Sequence, residues 1–151
     1  MKRVLSALVG LLALPSAALA CSCLKTEDPA QLRELAKDAA RGAVALVEVE
    51  AVRGYDAAAG TGEDVQITRT LAGAAAKDFR VARRQFASSA SCDDLLQTGQ
   101  RKIMILYPAT DASSDRPTYR VSSSCTNLLM SQQVFRDALT SEIGRRAGER
   151  G

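Results

Sequence analysis

The sequence predicts a mainly β fold, a small closed barrel of five short strands with a helix at each end. Apolar and polar side chains alternate with a two-residue period in short central runs, the sign of half-buried strands. Apolar residues near both ends of the mature chain instead recur at helical spacing. Four cysteines are available to brace a core that has six aromatic residues and no tryptophan.

The first twenty residues, MKRVLSALVGLLALPSAALA, read as a cleavable signal peptide. Lys2 and Arg3 precede an apolar run from Val4 to Leu14, Pro15 breaks it, and Ala18-Leu19-Ala20 sets small residues before the cut. The run is shorter than the roughly 20 residues that span a bilayer, and no later stretch approaches that length, so no membrane span is expected. The mature protein is expected to be exported, to the periplasm or the medium, and to begin at Cys21-Ser22-Cys23. A cysteine directly after the cut also raises acylation of Cys21. Lipoprotein signals carry a leucine three residues before that cysteine, where this chain has Ala18, and simple cleavage is the preferred reading.

Removal of 20 from 151 residues leaves 131, enough for one domain with a modest core, expected over 21–147 with a frayed tail at 148–151. Two of the 20 basic residues leave with the signal peptide, so 18 basic residues face 17 acidic ones in the mature chain. That balance of +1 gives no argument for nucleic acid or an anionic membrane as partner.

Asp28-Pro29 is an N-cap followed by a first-turn proline, and Leu32, Leu35, Ala36 and Ala39 continue a helix up to Gly42. From Ala43 the pattern turns to strand, with Val47, Val49 and Ala51 alternating with Glu48 and Glu50. A turn around Tyr55 to Glu63 leads to a second strand, in which Val65, Ile67 and Leu71 alternate with Gln66, Thr68 and Thr70. A turn over Gly73 to Asp78 precedes a third strand opened by Phe79 and Val81. Ile103 to Tyr107 is apolar on both faces and predicts a central strand, Asp111 to Pro117 a loop, and Tyr119 to Ser122 the fifth strand. Phe135, Leu139 and Ile143 repeat every four residues in an amphipathic C-terminal helix, whose Arg145 and Arg146 suit its C-terminal dipole.

The absence of histidine removes the Ser/His/Asp and Cys/His systems and the commonest zinc ligand. A carboxylate mechanism through Asp93 and Asp94, or Glu48 and Glu50, is the remaining enzymatic reading. Glu48 and Glu50 share one strand face and fit a solvated surface better. Gly60-x-Gly62 lacks the strand, spacing and helix of a phosphate loop and predicts a turn. Arg83-Arg84, placed in a strand, predicts one arginine on each face and a role in packing and solubility. The chain is therefore expected to be a non-enzymatic monomer without cofactor or structural metal of its own.

Cys21, Cys23, Cys92 and Cys125 are all exported and predict two disulfides, for which three pairings are open. Cys21 and Cys23 are too close to bond readily with each other. Each long-range bridge would contribute about 4 to 5 kcal/mol on a chain-entropy estimate. Two bridges only two residues apart would hold the chain end rigidly. A freed α-amino group, with a pKa of about 8, can lose its proton and donate to a metal, with the carbonyl of the same residue completing a five-membered chelate. The plainer alternative is that Cys-Ser-Cys only staples a loose end to the barrel.

Across essentially the whole mature chain, this sequence resembles the N-terminal, netrin-like domain of the tissue inhibitors of metalloproteinases. The resemblance is carried by Cys21-Ser22-Cys23, the proline-containing helix, the valine-rich first strand, the run Ser88-Ser89-Ala90-Ser91-Cys92, and a final strand ending at Cys125. It implies an OB-fold and the pairings Cys21 with Cys92 and Cys23 with Cys125, at separations of 71 and 102 positions. It further implies that Cys21 chelates the catalytic zinc of a target metalloprotease through its amine and carbonyl, at the coordination position such enzymes keep for water. Ser22 would then enter the specificity pocket, and Cys23, Leu24 and Ser88 to Cys92 would complete the inhibitory ridge. The chain departs from the family in having Arg33 about where the first cysteine of a third disulfide would stand, Asp93 where glycine usually follows Cys92, and no counterpart of the cysteine-rich second domain. The alternative function is a cell-envelope binding or structural module in which Cys-Ser-Cys is a staple alone.

Overall fold

A computed structural model describes residue 23 and residues 25–59, 61–83, 92–109 and 116–149. The chain runs α1 (Pro29–Ala39), β1 (Ala45–Arg53), β2 (Asp64–Gly73), β3 (Asp78–Val81), β4 (Arg101–Pro108), β5 (Thr118–Val121), α2 (Ser124–Leu129) and α3 (Gln133–Glu149). The strands close a barrel in the order β1-β2-β3-β5-β4, with β4 returning to β1. Every pairing is antiparallel except β3 with β5, which is parallel.

Strand β1 meets both β2 and β4, and its register with β2 shifts between Leu46 and Val47, between Glu48 and Val49, and between Ala51 and Arg53. Such irregularities bend and twist a strand, which lets a five-stranded sheet curl closed. The expected alternation is present: Val47, Val49 and Ala51 are buried in the barrel with Val65, Phe79, Val81, Leu96, Met104 and Leu106. On the outer face Glu48 pairs with Arg69 of β2 and Glu50 with Arg101 of β4, the solvated surface predicted for them. Gly73, at φ +72°, ends β2 where an added Cβ would lie 2.1 Å from the carbonyl oxygen of Val44, so only glycine fits this approach of two backbones.

A second core lies outside the barrel wall. Leu46 of β1 and Ile105 of β4 point outward beneath Leu32 and Ala36 of α1 and Phe135, Leu139 and Ile143 of α3. This is why Ile103 to Tyr107 is apolar on both faces: Met104 and Leu106 fill the barrel while Ile105 supports the helices. Helix α1 starts as predicted, with the Asp28 carboxylate accepting from Ala30 N–H at 2.9 Å and Pro29 in the first turn. Its C-terminal end is tied to β4 by the Tyr107 hydroxyl, which donates to Ala39 O at 2.6 Å.

Three expectations require correction. Cys125 does not end a strand: β5 stops at Val121, and Cys125 lies in the additional helix α2, capped by Ser123. Arg83 lies beyond β3 rather than in a strand. Helix α3 continues to Glu149, past the expected tail boundary after Ala147, with Arg145 bonding Glu142 and Glu149 and Arg146 bonding Glu142. Hydrogen bonds from Arg145 and Arg146 hold the Glu142 carboxyl down at about 2.

Asp64 knits the barrel end at the start of β2. Its two oxygens accept from Arg53 Nε at 2.9 Å and Arg80 Nε at 2.8 Å, with Arg116 at 3.8 Å. Burial opposes its ionisation, but the bonds and charges of Arg80 and Arg53 outweigh that and bring the carboxyl from 3.8 down to about 2. The unfolded chain therefore takes up a proton at Asp64 before the folded chain does. Stability from this group is full above about pH 4 and is lost as the pH falls towards about 2. Urea midpoints are expected to drop from about pH 5 to about pH 2.5, and to drop less in Asp64→Asn.

Candidate functional site

Of the residues assigned to the inhibitory ridge, Cys23 and Cys92 are described, whereas Cys21, Ser22, Leu24, Ser88, Ser89, Ala90 and Ser91 lie outside the described residues. Cys23 is bonded to Cys125 with a Cα–Cα distance of 5.1 Å and a sequence separation of 102. This is one of the two pairings the resemblance implied. The other, Cys21 with Cys92, falls on Cys21; Cys92 itself is disulfide-bonded, and no described cysteine is a free thiol.

Helix α2 brings the two predicted halves of the ridge together. Cys125 in its first turn holds Cys23, and the neighbouring Ser124 N–H donates to Cys92 O at 3.0 Å. From the same helix, the Asn127 amide donates to the Asp94 carboxylate, which also binds Lys102 of β4. Asn127 in turn accepts from Ser122 at 2.7 Å. Asp94 is thus occupied on both oxygens as a structural anchor, which leaves it poorly placed to act as a catalytic carboxylate.

Arg83, the last described residue before position 84, is held by a group that the sequence reading did not single out. Glu63, placed there in a turn, is fully buried, and Arg83 binds it through two nitrogens, Nε to Oε2 at 2.8 Å and Nη2 to Oε1 at 2.5 Å. Arg83 Nη2 also donates to Asp94 O at 2.7 Å, and Leu96 N–H donates to Glu63 Oε1 at 2.9 Å. Arg83 and Leu96 are therefore locked to one buried carboxylate. Gly62 permits this, since a Cβ there would lie 1.9 Å from Val81 O, so Gly62 serves close backbone approach; Gly60 lies outside the described residues. Cys92 has φ +63°, the one positive φ outside glycine among the described residues. A side chain there is strained by about 1–2 kcal/mol and is held by its surroundings.

Between the arm that follows Cys23 and helix α2 lies a concavity of about 420 Å³, lined by Cys23, Lys25 and Glu27 on one side and Leu128 and Leu129 on the other. Leu128 is 61% exposed. Among the described residues no group of three or more His, Cys, Asp or Glu side chains could hold a metal, and no helix is long and apolar enough to cross a membrane. No protein-family model, curated protein or solved structure matches this chain.

Proposed function

We propose that this chain is an exported, netrin-like module of the OB-fold type that inhibits a zinc metalloprotease through its mature N-terminus. The strand order β1-β2-β3-β5-β4 with a parallel β3/β5 closure supports the OB-fold reading. The observation that carries the functional reading is the attachment of Cys23 and Cys92 to the first turn of α2, one by a disulfide and one by a backbone hydrogen bond. A short chain end held in this way has little freedom left to lose, which lowers the entropic cost of insertion into a cleft.

In this mechanism cleavage after Ala20 frees the α-amino group of Cys21. The uncharged amine and the Cys21 carbonyl displace the water on the protease's zinc. Ser22 enters the adjoining pocket, and Cys23 to Leu24 with Ser88 to Cys92 lie against the cleft. A second disulfide, Cys21 with Cys92, completes the brace. The module itself brings no metal and no catalytic group.

The test is an inhibition screen of the oxidised mature chain against a panel of zinc proteases, beside a form carrying one extra alanine before Cys21. The mature form is expected to inhibit at least one protease and the extended form to be inactive, with identical thermal melts. Equal inhibition by the two forms would sink the mechanism, and so would an acylated Cys21 amine in the mass spectrum of the exported protein. Acylation would favour the staple-only envelope module.

A further inference from the structure

A cavity of about 490 Å³ opens where α1 ends beside β4 and β5, and three arginines, Arg41, Arg83 and Arg120, are among the residues that line it. Asp93, Tyr107, Ser122 and Ser123 are the other polar residues of the described lining. The three arginines differ in what they have to offer. Arg83 forms the floor: its side chain is only 4% exposed, and its hydrogen bonds to Glu63 and Asp94 O use Nε and Nη2. Nη1 remains. Arg83 also lines the cavity, and Nη1 is the nitrogen that these bonds leave for a ligand there.

Arg120 lies at the rim and makes no ion pair with a described residue; its Nε donates to Pro108 O at 3.1 Å, which leaves both terminal nitrogens. Arg41 spends one nitrogen on Asp38 at 3.0 Å, in a pair whose side chains are 77% and 68% exposed. Exposed pairs of this kind hold an arginine weakly. Glu63 neutralises Arg83, and among the described lining residues Asp93 is the one carboxylate beside Arg41 and Arg120, so the balance of these side chains is positive. Burial pushes the Tyr107 phenol up, so it stays protonated and repels no anion at neutral pH.

We propose that this cavity is a binding site for an oxyanion, a carboxylate or phosphate group, held between Arg120, Arg41 and the Nη1 of Arg83. Guanidinium groups match both oxyanions with paired N–H donors, and a rigid buried arginine at the floor fixes where the anion sits. Cys92 of the proposed ridge also lines this cavity, but anion binding is read without any protease and is tested independently of zinc chelation by Cys21.

Calorimetric titration of the oxidised mature protein with inorganic phosphate and, separately, with succinate tests the site and shows which oxyanion it prefers. Saturable one-to-one binding below about 1 mM by at least one of them is expected. In Arg41→Gln/Arg120→Gln the binding weakens by about tenfold or more, and added salt weakens it in the parent. Both residues are exposed, so thermal melts of the variant should match the parent and show that it is folded. Absence of saturable binding by either anion, or unchanged affinity in the folded variant, overturns the proposal.

Discussion

Glu63→Gln is expected to destabilise the fold by about 3–5 kcal/mol, the usual effect of removing one partner from a buried ion pair. The substitution keeps the shape of the side chain. Its amide oxygen can still accept from Leu96 N–H, but its NH₂ group then faces an Arg83 nitrogen, donor against donor. The Arg83 charge is left without a counterion at 4% exposure. Urea denaturation of the parent and the variant measures the loss directly. Replacing both partners, as Glu63→Leu/Arg83→Met, should recover part of it because no charge stays buried. Recovery is incomplete, since Asp94 O and Leu96 N–H lose their partners, at about 1–3 kcal/mol each. A loss below about 1 kcal/mol in Glu63→Gln would show that this pair does not anchor Arg83 and Leu96 as described.

The second large effect concerns the bridge between Cys23 and Cys125. In the unfolded state its sequence separation of 102 closes a loop that holds the residues of α1 and all five strands. The paired substitution Cys23→Ser/Cys125→Ser is expected to lower stability by about 4–5 kcal/mol on the chain-entropy estimate. The barrel strands carry their own core and should keep their far-ultraviolet signature at low temperature. The attachment of the N-terminal arm to α2 is lost, so inhibition should fall even where the domain remains folded. Measuring the melt and the inhibition constant on the same sample separates these effects. A folded variant with full inhibition would mean that the staple is not needed for the site.

Much of the fold was legible because its packing is periodic. Val47, Val49 and Ala51 alternate because one face of β1 lines the barrel, and Phe135, Leu139 and Ile143 recur because one stripe of α3 covers Leu46 and Ile105. Helix α2 was not legible. Six residues are too few to show a period, and the resemblance runs the final strand on to Cys125 although Ser123 is an N-cap. The Glu63–Arg83 pair was missed for a different reason: charged residues are seldom fully buried, and the two sit 20 positions apart with no local pattern to join them. The only hint was Gly62 next to Glu63 at the end of a polar turn. For the candidate site, the cysteines alone left three pairings open and the family resemblance implied the partner of Cys23, while the part played by α2 in drawing Cys23 and Cys92 together depended on the tertiary fold.

The most direct measurement reads the protease's metal. A zinc protease from the inhibition panel, loaded with cobalt(II) in place of zinc, has visible absorption bands that report the metal's ligands. Adding the oxidised mature protein should shift these bands with one-to-one stoichiometry, as the Cys21 amine and carbonyl replace water, and the form with one extra alanine should leave them unchanged. Inhibition by the mature protein with an unaltered cobalt spectrum would contradict chelation by Cys21.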